Sequence, residues 1–78
     1  MNIEKITTIR VHYDAAFYCD ITRNAGVWEV WLYKNGCGAA LYMFGLPDAA
    51  EEDAVQMAAA NIDEYIKIFN DEFSSENE

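Results

Sequence analysis

The chain has 78 residues, of which 53% are hydrophobic and 14% aromatic, and carries a formal charge of −9. That is one core's worth of chain, too short for two domains and too apolar for the disordered class. A net charge this negative argues against a direct nucleic-acid binder, because it repels phosphates.

The first half alternates with a period of two, the signature of half-buried strands. "TTIRVHY" sets Ile9, Val11 and Tyr13 on one face and Thr8, Arg10 and His12 on the other. "AFYCDITR" sets Phe17, Cys19 and Ile21 against Tyr18, Asp20 and Thr22. "VWEVWLY" sets Trp28, Val30 and Leu32 against Glu29, Trp31 and Tyr33. "GAALYMF" is apolar on both faces, so its inward side stays open. Asp14-Ala15, Asn24-Ala25-Gly26 and Lys34-Asn35-Gly36 separate the runs. Asn35-Gly36 is the strong hairpin signal, since both residue types tolerate positive φ. The reading is four antiparallel strands in meander order over about 6–13, 16–23, 27–34 and 38–45.

After Pro47 the period changes. Val55, Ala59, Ile62, Ile66, Phe69 and Phe73 recur at helical spacing. Asp48 with Glu51 fits a capping box, and the alanines at 54 and 58–60 favour a helix. The expected helix covers about 48–73, followed by a frayed acidic tail, 74–78. A sheet with one apolar face needs a cover, and the helix is the only candidate. The expected fold is an α+β two-layer sandwich, ββββα, in a single domain over 1–73.

The charge is unevenly laid out. Residues 1–47 balance Glu4, Asp14, Asp20 and Glu29 against Lys5, Arg10, Arg23 and Lys34, while residues 48–78 hold ten carboxylates and only Lys67 as a base. On a helical wheel of ~100° per residue, Asp53, Glu64 and Asp71 fall opposite the core stripe, with Asp63 beside them and Glu52 on a flank. Lys67 lies four residues after Asp63, close enough for a helical ion pair. A plain solvated helix face is one reading of these acids; the near-absence of bases, where such a face normally mixes its signs, supports the other, a partner with a basic surface. The second surface is the outward sheet face, where Tyr18, Trp31 and Tyr33 fall, with Tyr42 as a further candidate. Tyr and Trp in such a patch suit a protein partner or a homodimer.

Catalytic chemistry is hard to assemble, so the expectation is a protein that is not an enzyme. His12 is the only histidine and has no nucleophile beside it. Cys19 points inward, and Cys37 has nothing near it in sequence to lower its pKa. "EEDA" lacks the spaced oxygen ligands and glycine of a calcium loop, and no Gly-rich phosphate loop precedes the helix. No metal or cofactor is expected. No apolar run reaches the ~20 residues of a membrane span. "MNIEKITTIR" lacks the apolar stretch of a secretory signal, so a cytoplasmic setting with reduced Cys19 and Cys37 is expected.

In size, charge and sheet-plus-helix layout the chain resembles small phage-encoded inhibitors, the anti-CRISPR proteins in particular. The resemblance implies a stoichiometric inhibitor, in the cytoplasm of an infected bacterium, that puts carboxylates where phosphates would sit in a basic channel of a CRISPR effector complex. That group shares no signature, so no residue role is carried over from it. The reading from the residues is a non-enzymatic binding protein that uses Glu52, Asp53, Asp63, Glu64 and Asp71, with no direct contact to nucleic acid or membrane. The alternative is a small homo-oligomeric accessory domain assembling through its aromatic sheet face.

Overall fold

A computed structural model describes residues 7–74. It contains β1 (Thr7–His12), β2 (Phe17–Asn24), β3 (Val27–Lys34), β4 (Ala40–Pro47) and α1 (Glu51–Ser74). The strands form one antiparallel sheet in the order β1-β2-β3-β4, covered on one face by α1. This is the expected ββββα sandwich. The start of the first expected strand, at residue 6, and the tail 75–78 lie outside the described residues.

The period-two pattern explains the core. Phe17, Cys19 and Ile21 of β2 and Trp28, Val30 and Leu32 of β3 point inward and are buried. Ile9 and Val11 of β1 extend this layer as partly buried neighbours. Phe69 of α1 meets Phe17 edge-to-face at 5.6 Å between ring centroids and Phe73 at 4.5 Å. Trp28 buries its indole and still satisfies it: Nε1–H donates to the Ala49 carbonyl at 2.9 Å. That bond pins the chain between β4 and α1 to the sheet.

Four local features differ from the sequence expectation. The tightest hairpin is Ala25-Gly26, where both residues have positive φ, +53° and +80°. That is the two-residue turn whose twist matches the strands it joins. At the Asn35-Gly36 turn only Gly36 is left-handed, with φ +77°. Asn35 instead ties two turns together: its backbone N–H donates to the Ala16 carbonyl and its Nδ2–H to that of Ala15. Asp48 does not cap the helix. Its φ is +56° and its N–H donates to the Gly26 carbonyl at 3.1 Å, so it ends β4 against the neighbouring turn. An N-cap needs extended backbone. The first helical bond, Ala54 N–H to the Ala50 carbonyl, puts the helix start three residues later than expected.

The third difference is a rotation of the helix. Ala54, Ala58, Ile62 and Phe69 are buried, whereas Ala59 is exposed. Ala58 therefore replaces Ala59 in the buried stripe. The fourth concerns β4. Val30 pairs with Phe44 and Trp31 with Tyr42, which leaves Met43 as an extra residue. Such a bulge shifts the alternation. Leu41, Phe44 and Leu46 pair with the inward residues of β3, and Met43 is buried as well, accepting the Cys19 thiol hydrogen on its sulfur at 3.5 Å. The inward side of the fourth strand is thereby settled.

Candidate functional site

The sandwich has two outer surfaces, the far side of α1 and the far side of the sheet. On α1, every carboxylate from Glu51 to Glu72 is exposed. These are Glu51, Glu52, Asp53, Asp63, Glu64, Asp71 and Glu72, against Lys67 alone. Asp53, Glu64 and Asp71 point directly away from the sheet, and Asp53 lies ~27 Å along the axis from Asp71. Acidic residues in the first turn also suit the positive end of the helix dipole. Asp63 is different. It accepts a hydrogen bond from the Tyr13 hydroxyl, which joins the helix to the end of β1. This bond, followed by the charge of Asp63, raises the Tyr13 pKa above its usual value. Tyr13 therefore belongs to the rim of the sandwich, not to the buried row of Ile9 and Val11. Among the described residues Arg10–Asp20 is the sole ion pair, so Lys67 leaves Asp63 unpaired by charge.

The acidic face also holds apolar side chains that the charge pattern had hidden. Met57 is 42% exposed and Ile68 43%. They stand four residues after Asp53 and Glu64, on the β4 side of the stripe. Met57 lines an open groove of about 530 Å³ with Leu46, Ala49, Asp53, Gln56 and Ala60. The signal was present in the sequence, because neither Met57 nor Ile68 fits the core stripe.

The outer sheet face is an ordered grid read directly from the strand register. Across β1 to β4 one row is Thr8, Thr22, Glu29 and Gly45. The next is Arg10, Asp20, Trp31 and Tyr42. The third is His12, Tyr18, Tyr33 and Ala40. Tyr18 and Tyr33 stack at 5.3 Å with their planes 8° apart. Trp31 meets Tyr42 edge-on at 5.2 Å. The Arg10 guanidinium lies 4.3 Å from the Tyr18 ring centre and makes a two-pronged bond to Asp20, at 2.8 and 3.0 Å. Asp20, through these bonds and its charge, holds the Arg10 proton more firmly than usual. Tyr42 is 48% exposed and its hydroxyl lies over Gly45, where a Cβ would come within 2.7 Å of it. The sequence-predicted aromatic patch of Tyr18, Trp31, Tyr33 and Tyr42 is thus one connected surface, on the opposite side of the molecule from Glu52, Asp53, Glu64 and Asp71.

The remaining chemistry-bearing groups stand apart. Cys19 is fully buried, and burial pushes its thiol up to about 11. At neutral pH it is a protonated, unreactive thiol. Cys37 is exposed and free at the end of the sheet, beside a small pocket lined by Lys34, Asn35, Phe69, Asn70 and Phe73. Among the described residues no group of three or more His, Cys, Asp and Glu is placed to hold a metal ion. No described helix is long and apolar enough to cross a membrane. Comparison with protein-family models, with curated proteins and with solved structures returned no match.

Proposed function

We propose that this protein is a non-enzymatic inhibitor that docks the outer face of α1 on a basic, nucleic-acid-binding surface of a partner complex. The observation that carries the reading is the one-signed helix: seven exposed carboxylates and one base, all on a rigid element. Such a face costs stability through self-repulsion, a cost that a basic partner relieves. Asp53, Glu64 and Asp71 supply the centre of the contact, with Glu52 and Asp63 at its flank. A groove lined with Arg and Lys to receive phosphates accepts well-placed carboxylates through the same charge-assisted bonds.

Met57 and Ile68 sharpen the reading. Apolar anchors among the charges suit a folded protein partner, whose interface core excludes water, better than a simple polycation. Met in particular adapts its shape to the surface it meets. The class of partner that fits is a nucleic-acid-handling complex of the CRISPR effector kind, met in the cytoplasm of the bacterial host. The test is a titration of purified effector complexes, reading their binding to target nucleic acid. The expected result is stoichiometric inhibition that weakens as salt rises and is lost on changing Asp53, Glu64 and Asp71 to lysine. Inhibition that survives this triple reversal at physiological salt rules the reading out.

A further inference from the structure

The uncovered sheet face is complementary to itself. We propose that it is the interface of a two-fold homodimer, with the axis parallel to the strands and running between β2 and β3. The inference is independent of the acidic-helix reading and uses none of its residues.

Three observations carry it. First, the one helix among the described residues packs on the inner face of the sheet, and no other described element covers the far face. Second, charge restricts where two copies of a −9 chain can touch. The helix side repels its own kind. On the sheet face the Arg10–Asp20 pair cancels itself, leaving Glu29 as the one unpaired carboxylate of the grid. Two copies can approach there with the least repulsion.

Third, the register selects one arrangement. A two-fold axis along the strands lays β1 over β4 of the second copy and β2 over β3, with each row facing its own copy. Arg10 then faces the Tyr42 ring, a cation over an aromatic face. Thr22 faces Glu29, a hydroxyl donor opposite a carboxylate acceptor. Tyr18 faces Tyr33. At one margin a large side chain falls over a small one, His12 over Ala40. A two-fold axis across the strands instead lays Arg10 on Arg10 and Asp20 on Asp20. That stacks like charges at the centre and is disfavoured. Aligned sheets pack ~10 Å apart with a modest twist, so the pairing holds best at the central rows.

The face measures about 500 Å² in flat projection, from strand spacing and rise. That is below the ~800 Å² per partner of a standard stable interface, so the dimer is weak. Association is expected in the micromolar-to-millimolar range of weak, transient contacts. The product is a four-layer stack with the two α1 helices ~30 Å apart and facing opposite ways.

Sedimentation equilibrium from about 1 µM to 1 mM of the purified protein tests this, over the range that brackets the expected affinity. The mass should rise from 8.9 kDa toward twice that value. Trp31→Ala should weaken association at least tenfold while the far-ultraviolet circular dichroism still reports the α+β fold. Two further variants test the axis. Tyr42→Glu places an acid opposite Arg10 of the second copy and should preserve association; Tyr42→Lys places a base there and should abolish it. Equal loss in both variants overturns the proposed axis. A mass of 8.9 kDa throughout, or dimers indifferent to Trp31→Ala, overturns the proposal, and the face is then left to a different partner.

Discussion

β3 carries two tryptophans, and they lie on opposite sides of the sheet. Trp28 points at α1, is 2% exposed, and has its N–H bonded to Ala49. Trp31 points away, is half-buried, and meets Tyr42 on the open face. The residue type is the same and the strand is the same. What differs is whether the chain itself provides the cover. The inner face is committed to folding, and the outer face is ordered by its own grid and remains available. The far side of α1 is available in another sense, because among the described residues its carboxylates make no ion pair.

The largest expected effect separates the two tryptophans. Trp28→Ala should cost about 3–5 kcal/mol through cavity formation and loss of the anchor to Ala49. The whole domain is worth on the order of 4–12 kcal/mol, so this variant should lose a large fraction of its stability and melt far below the unaltered protein. Trp31→Ala leaves no cavity in the core and should cost about 1 kcal/mol or less. Comparable losses for the two would erase the distinction between the faces.

The next effect concerns the rim and the core at high pH. Cys19 is raised to about 11 and Tyr13 also lies above its ordinary value. Both groups hold their protons more tightly when folded. Their contribution is therefore complete below pH ~9 and is lost as pH climbs through the folded values. Urea midpoints should be flat from neutral pH to about 9 and then fall. In Tyr13→Phe the midpoint at neutral pH should be slightly lower, because the bond to Asp63 is gone, and the alkaline fall should be shallower. A midpoint that rises above pH 9 would contradict this.

Smaller still is the change at the β2–β3 turn. Ala25 occupies a left-handed conformation that suits Asn better. Ala25→Asn should raise stability by roughly 0.5–1 kcal/mol. The smallest is Gly45→Ala, whose new methyl meets the exposed Tyr42 hydroxyl and not backbone. It should leave the melting temperature nearly unchanged while altering the near-ultraviolet signal of the Trp31–Tyr42 pair. A large loss of stability would mean that the outer grid, too, is needed for folding.

These contrasts also show what was legible in the sequence. The strands of the first half and the long helix could be read because each buries one side only, and alternation or helical spacing records which. The same record fails where contrast is missing. Ala58 to Ala60 are three alike residues, so nothing marked Ala58 over Ala59 as the buried one. "GAALYMF" is apolar throughout, which hid the bulge at Met43. Asp48 and Glu51 have the spacing of a cap, but the left-handed backbone of Asp48 is set by its bond to Gly26, a contact between distant parts of the chain. The tie between Tyr13 and Asp63 is likewise long-range and leaves no local mark. The charge layout was legible in full because it needs no partner residue to be read. Met57 and Ile68 stand within it, off the core stripe, where the surrounding charges mask their apolar character.

The docking proposed for the outer face of α1 depends on charge, and charge can be titrated. The most direct measurement is a salt-dependent competition: a purified effector complex, its target nucleic acid and increasing protein, followed by gel shift. The expected result is displacement near one-to-one at low salt, a steady loss of potency with rising salt, and no displacement by the Asp53→Lys, Glu64→Lys, Asp71→Lys variant despite an intact fold. Displacement unaffected by both the salt and the triple reversal would contradict it.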